Sequence, residues 1–215
     1  MRNAASGRRS YDSPRRSEQA RATRRAILDA ARDLFVSAGY VATTIDAIAA
    51  RARVSPETIY SAFKNKRSLL SRLIDESTAG DDTPVPILER AWVQEMRAEP
   101  DPKRRSMILA KNGRLILERT APIYEVLRGA AAADPQMASL WARYKAQRFA
   151  GQRELLRIVI AGDRLREGLT FDAAADVVFA IGSPETYRSL VVDRQWSARR
   201  FEAWYADALT RNLLR

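Results

Sequence analysis

The chain has 215 residues, close to half of them apolar, and carries a formal net charge of +11 with neither histidine nor cysteine. That length buries a core without a disulfide or metal staple, and the two missing residue types remove thiolate and imidazole zinc sites, Cys-His dyads and Ser-His-Asp triads. No apolar run approaches the roughly 20 uninterrupted residues of a membrane span, and no apolar leader follows the N-terminal arginines within about thirty residues, so the expected setting is a globular protein in the cytoplasm.

Residues 1–16 (MRNAASGRRSYDSPRR) lack apolar periodicity and read as a disordered basic arm. A first helix is predicted from Ser17, with Ile27, Ala31, Leu34, Phe35 and Ala38 on one apolar stripe and Gly39 as a left-handed C-terminal cap. Thr43 or Thr44 is placed to cap a short second helix, with Asp46 in its first turn and Ile45, Ile48 and Ala49 inward. Ser55-Pro56-Glu57 is a stronger start signal: a hydroxyl cap, a proline where no N–H is needed, and an acid behind it. Ile59, Ala62 and Phe63 give that third helix its buried side, and Asn65 caps a fourth carrying Leu69, Leu70, Leu73 and Ile74. Two short helices joined by Ala52-Arg53-Val54 and braced by a longer one form the arrangement whose second member enters the DNA major groove, although helical hairpins of this kind also occur in all-α proteins that never meet DNA.

The remainder also reads as helices: Pro86 onward, Arg104 to Glu118, Pro122 to Ala133, and a long one opened by the cap Asp134 and Pro135. Gly168 ends a link to a helix over residues 172–192, apolar nearly all round except at Asp176, in which Pro184 is expected to form a kink. Phe201, Trp204, Tyr205, Ala208 and Leu213 form an aromatic-rich stripe on the last helix. Both final helices are expected to build a two-fold interface, through Val177, Ile181, Tyr187, Val191, Phe201, Trp204, Tyr205 and Ala208. The predicted fold class is all-α, with an arm over 1–16, a three-helix DNA-binding domain over 17–64 and a helical ligand-binding and dimerisation domain over 65–215.

Charge placement supports the DNA reading. Residues 1–72 hold fifteen Arg or Lys against six Asp or Glu, and residues 73–215 hold twenty-two against twenty, so the excess sits with the groove-reading motif. Catalysis has little to stand on. Among five lysines, Lys64 completes a Ser-x-x-Lys with Ser61, a pattern common by chance that here lacks its companion motifs, and no glycine-rich phosphate loop is present.

The segment TTIDAIAARARVSPETIYSAFKNKRSLL resembles the DNA-binding domain of tetracycline-repressor-type (TetR) regulators, and the match reaches back to AILDAARDLFVSAGY, covering roughly residues 20–75 with Ile59-Tyr60, Phe63 and Lys66 in register. More loosely, GSPETYRSLVVDRQWSARRFEAWYADALTRNLL looks like the dimerising helices of one branch of that family. The resemblance implies an all-helical homodimer that represses transcription and leaves a palindromic double-stranded operator when a small molecule enters the C-terminal domain, with no cofactor, metal or catalytic residue. Two positions depart from it: Arg53 and Gln195 stand where the family usually has glycine in a turn. Carried over by position, Thr44, Ser55, Tyr60 and Lys66 suit phosphates, as does Arg53 if it reaches out, while Pro56, Glu57 and Thr58 suit base edges, and Lys64 is placed with them at the DNA. Glu57 also suits the helix dipole, and Tyr60 could simply pack. Arginines 8, 9, 15 and 16 would track phosphates or serve as a solubilising tail. An effector pocket is expected among Trp92, Met96, Met107, Asn112, Tyr124, Trp141, Tyr144 and Phe179, residue types that line small-molecule sites and also ordinary cores. The competing readings are an architectural DNA-binding protein without an effector and, third, a helical enzyme dependent on Lys64.

Overall fold

The computed structural model describes residues 14–81, 85–162 and 165–214, with side chains from Arg16 onward, and its regular structure is helical apart from one isolated antiparallel bridge between Leu165 and Leu214. Helix α1 (Pro14–Ala42) starts at a proline, so residues 14–16 are helical rather than part of the arm, and residues 1–13, with Arg8 and Arg9, lie outside the described residues. Gly39 breaks the helical geometry with φ 80 and ψ 170, a conformation open to glycine and costly for other residues. Helices α2 (Ile45–Ala52), α3 (Pro56–Phe63) and α4 (Lys66–Ala79) follow, each started by a side-chain cap: Thr44 accepts from Ala47 N–H, Ser55 from Thr58 N–H and Asn65 from Ser68 N–H. Thr43 is not a cap. It is buried, and its hydroxyl donates to the carbonyls of Gly39 and Leu34 at the end of α1.

One apolar core joins these four helices. Ile27, Phe35, Ile48, Ile59, Leu69 and Leu70 are fully buried in it, each contributing roughly 1.5–3 kcal/mol of transfer free energy. Ala38, expected on the inner stripe of α1, is exposed because the chain turns at the next residue. The same core takes in Ile123, Tyr124 and Leu127 of α6 (Pro102–Ala131) and Met137, Leu140 and Tyr144 of α7 (Pro135–Val159), so the first helices are packed onto the middle of the chain. A second core gathers α5 (Ala91–Ala98), the other halves of α6 and α7, α8 (Phe171–Ile181) and α10 (Ala198–Leu213).

Several boundaries differ from the sequence pattern. A short 3-10 turn, Ile87–Glu89, is separated from α5 by Arg90 in extended geometry, its guanidinium bonded to Asp81 and to the Val85 carbonyl. The two helices expected over 104–133 are one, running through Pro122. Proline removes the N–H that would have bonded the carbonyl four residues back. Arg32 of α1 supplies a donor beside this gap, bonding the Arg119 carbonyl and, at 3.0 Å, the Ser77 hydroxyl, so three helices meet where the ladder is interrupted. Pro184, conversely, does not kink a long helix but opens a new one. Ser183 caps α9 (Pro184–Tyr187), which runs into a π-type turn over Arg188–Asp193. Among the described residues no helix is long and apolar enough to cross a membrane.

Candidate nucleic-acid interface and ligand cavity

The helix-turn-helix is built from local chemistry. Arg53 ends α2 in left-handed geometry (φ 56, ψ 43), and N–H groups of Arg53 and Val54 bond the carbonyls of Ala50 and Ala49. An arginine thus does what glycine usually does there, at a conformational cost of roughly 1–2 kcal/mol. Gln195 likewise takes positive φ, 54, before α10. Between α3 and α4 the turn is tighter: Lys64 has φ 67 and ψ −47, and Asn65 N–H bonds the Phe63 carbonyl at 2.8 Å, a γ-turn that non-glycine residues rarely adopt.

These turns leave α3 with Ile59 and Phe63 inward and Tyr60 52% exposed. Thr44, Arg53, Ser55, Glu57 and Lys64 are exposed, and Pro56 and Thr58 partly so, which groups the carried-over residues around one short helix. Glu57 is turned toward its own helix start. Its own backbone N–H, then the Ser55 hydroxyl, hold its carboxyl below the ordinary range, the behaviour of a first-turn acid. Lys66 differs from the free phosphate-binding charge expected at that position. Its ammonium donates to the carbonyls of Tyr40 and Thr43, both at 2.8 Å, and lies 4.3 Å from the Tyr40 ring centroid. It ties α4 to the α1–α2 turn, and burial lowers its pKa; what it can still offer an anion is the backbone N–H at the start of α4. Arg24, which no motif marks in the sequence, has its guanidinium 5.7 Å from the Phe63 ring centroid beside the end of α3.

A cavity of about 520 Å³ lies between the two cores. Of the eight residues named from the sequence for an effector pocket, Trp92, Tyr124 and Tyr144 line this cavity and the other five do not. Met96 is fully buried elsewhere, and Met107 is 60% exposed. Asn112 bonds the Ile108 carbonyl of its own helix, which answers its polar demand without a ligand. Trp141 packs edge-on against Tyr124, away from the cavity, and Phe179 lies beneath Arg148. Burial forces Met96 into the core, and helix phase carries Met107 outward. Most of the lining missed in the sequence is apolar, but α7 adds three polar side chains, Gln147, Arg148 and Gln152. Gln152 Nε2 donates to the Gly182 carbonyl at 3.0 Å, while its buried Oε1 has no partner among the described residues. Asp75, Thr78 and Ala79 bring the end of α4 to the same wall, and the Tyr144 hydroxyl bonds the Ser71 carbonyl at 2.9 Å and Asp75 at 2.8 Å.

Of the expected interface residues, Phe201, Tyr205 and Tyr187 are buried within the single chain, with Tyr187 and Phe201 ring centroids 4.9 Å apart, so they serve the core rather than face a partner. Val177, Ile181, Val191, Trp204 and Ala208 remain partly exposed.

A short helix presented by a capped turn, braced by α1 and free on its polar side, is the helix-turn-helix arrangement that DNA-binding regulators use. Residues 27–73 match the bacterial regulatory proteins of the tetR family. Over 173 residues the chain is 32% identical to YdeS of Bacillus subtilis (strain 168), an uncharacterised HTH-type transcriptional regulator, with 79% of each protein covered. A 59-residue stretch is 46% identical to YvkB of the same strain, an uncharacterised regulator of the same type, over 27% of this chain and 31% of YvkB. The crystal structure of NalD, the secondary repressor of the MexAB-OprM multidrug efflux pump in Pseudomonas aeruginosa, shares the fold with a TM-score of 0.68 at 22% identity, over 92% of this chain and 98% of NalD. The chain belongs to the TetR family of transcriptional regulators, which are generally DNA-binding repressors and form dimers.

Proposed function

We propose that this protein is a cytoplasmic repressor that binds a palindromic operator as a homodimer and is released when a small molecule occupies the cavity between its two cores. The observation that carries the reading is the course of α4. Its first turn follows the α3–α4 γ-turn and is tied by Lys66 to the α1–α2 turn, while Asp75, Thr78 and Ala79 near its far end line the cavity. Fourteen residues span about 21 Å at 1.5 Å per residue. A ligand that displaces Tyr144 acts directly on Ser71 and Asp75, and a rigid helix carries that shift to the start of α4, beside the recognition helix α3. A preference for one state of α4 by DNA and for another by ligand is all that release requires.

The test is selection from a random duplex library followed by titration. A symmetric site with half-sites about one helical turn apart should emerge, with affinity falling steeply in salt. Changing Thr58 should alter base preference at one position, each specific base contact being worth roughly 1–3 kcal/mol. Equal binding to every duplex, unaffected by any cavity ligand, would point to an architectural protein and overturn the reading.

A further inference from the structure

The cavity's two charged lining residues are placed very differently. Asp75 is exposed and accepts a hydrogen bond from the Tyr144 hydroxyl at 2.8 Å. Arg148 lies deeper, its guanidinium carbon 3.8 Å from the Phe179 ring centroid and one of its nitrogens donating to the Phe179 carbonyl at 3.0 Å. A guanidinium has five N–H donors, and among the described residues this one meets that carbonyl and no carboxylate at ion-pair distance. Burial pulls its pKa down, with Glu185 only partly offsetting the effect. Two phenols share this end of the cavity. Burial raises the Tyr124 hydroxyl to about 12 and lifts Tyr205 as well, so both are neutral donors at pH 7, and neither has a hydrogen-bond partner among the described residues. Arg148 is close enough to act electrostatically on both. One half-buried cation flanked by two unengaged hydroxyl donors is a site short of an anionic acceptor.

We propose, resting on the reading of the cavity as the effector site, that it takes an amphipathic organic carboxylate, with the carboxylate on Arg148 and the apolar body against Leu88, Trp92 and Ile116. A single guanidinium with no second lining cation matches one negative charge rather than the two of a phosphate monoester. A neutral ligand would leave the partly desolvated guanidinium with only the Phe179 carbonyl and ring and the Glu185 charge to offset its loss of water. A cation would have to bind at Asp75, which is exposed and already accepts from the Tyr144 hydroxyl. The carboxylate gains charge-assisted hydrogen bonds from the guanidinium, and a volume of about 520 Å³ suits a drug-sized ligand.

The experiment is calorimetric titration of the full-length protein, without DNA, using two matched sets: decanoate, decanol and decyltrimethylammonium, and 4-phenylbutyrate with 4-phenylbutanol. At least one carboxylate should bind ten-fold or more tightly than its neutral partner. Arg148→Met should bring that carboxylate down to the alcohol's affinity and leave the alcohol unchanged, and Arg148→Lys should keep part of the preference. Should Arg148→Met not fold, Tyr124→Phe provides the same contrast, with a several-fold loss for the carboxylate alone. Equal or tighter binding of the alcohol or the ammonium, indifference to these substitutions, or no binding by either carboxylate overturns the proposal. DNA release is measured separately. Carboxylate binding without release leaves this proposal standing and defeats the effector reading; release by the alcohols alone does the reverse.

Discussion

Replacing Lys66 by methionine keeps the length of the side chain and deletes its ammonium, which separates two roles for one residue. The ammonium bonds the Tyr40 and Thr43 carbonyls at 2.8 Å each and stands 4.3 Å from the Tyr40 ring centroid. Charge-assisted hydrogen bonds contribute roughly 1.5–3 kcal/mol apiece, so at the lower end, suited to a half-buried group, the pair gives about 3 kcal/mol. The ring contact adds about 0.5 kcal/mol. Deleting the charge also removes its desolvation cost, the cause of its lowered pKa, which leaves a net loss of about 2 kcal/mol. For a protein of this size that is a fall in Tm of roughly 4–8 °C. Urea unfolding followed by circular dichroism measures it, alongside DNA affinity at several salt concentrations. The clamp predicts weaker binding with an unchanged salt slope, because no phosphate contact is lost. Unaltered stability together with a slope smaller by about 0.9 would place the ammonium on a phosphate and refute the clamp.

Lys64→Gly should raise stability by about 0.5–1 kcal/mol in urea unfolding, since glycine accepts the γ-turn that lysine occupies at φ 67, less the extra freedom it gives the unfolded chain. Gly182→Ala should destabilise by about 1–3 kcal/mol, because a Cβ there would lie 2.2 Å from the Tyr205 hydroxyl; adding Tyr205→Phe should restore most of the loss, and additive effects would contradict the contact. Arg105→Met should cost about 3 kcal/mol, read from thermal unfolding, as this buried guanidinium bonds the carbonyls of Glu99, Pro100, Val159 and Ala161 at 2.7–2.9 Å and so closes the end of α7. Glu125 is held below the ordinary carboxylate range, first by its hydrogen bond with Arg128 and further by Arg188. Its contribution is present above the unfolded value of about 4.3 and lost as pH falls through the lower folded value, so wild type and Glu125→Gln should differ most at pH 7 and converge in acid.

Cap chemistry made helix starts legible in both halves of the chain. Thr44, Ser55-Pro56, Asn65 and Asp134-Pro135 each satisfy N–H groups within three residues of themselves, and all four mark real helix starts. Prolines were harder, because the same residue admits opposite outcomes. Pro122 stays inside α6 with Arg32 of a distant helix bonding the adjacent carbonyl, whereas Pro184 begins α9 because Ser183 caps it. The cavity was legible only where aromatic residues suggested it. Arg148 and Gln152 carry no marker of their own, since an arginine and a glutamine on a charged helix read as surface until Phe179 and Gly182 are brought against them.

The sequence by itself determined that this chain is all-helical, where the recognition helix starts, which of its faces is buried, and that positive charge gathers beside it, because periodicity, caps and charge density are properties of neighbours along the chain. Tertiary structure alone decided that Lys66 clamps a turn, that Phe201 and Tyr205 fill the chain's own core, and that α4 runs from the recognition helix to a cavity with a cation in its wall. Lys66 and Tyr40 are 26 residues apart, and Arg148 and Phe179 are 31. The energy of such contacts depends on what packing brings together, and side chains with several possible partners do not reveal in the sequence which one they meet.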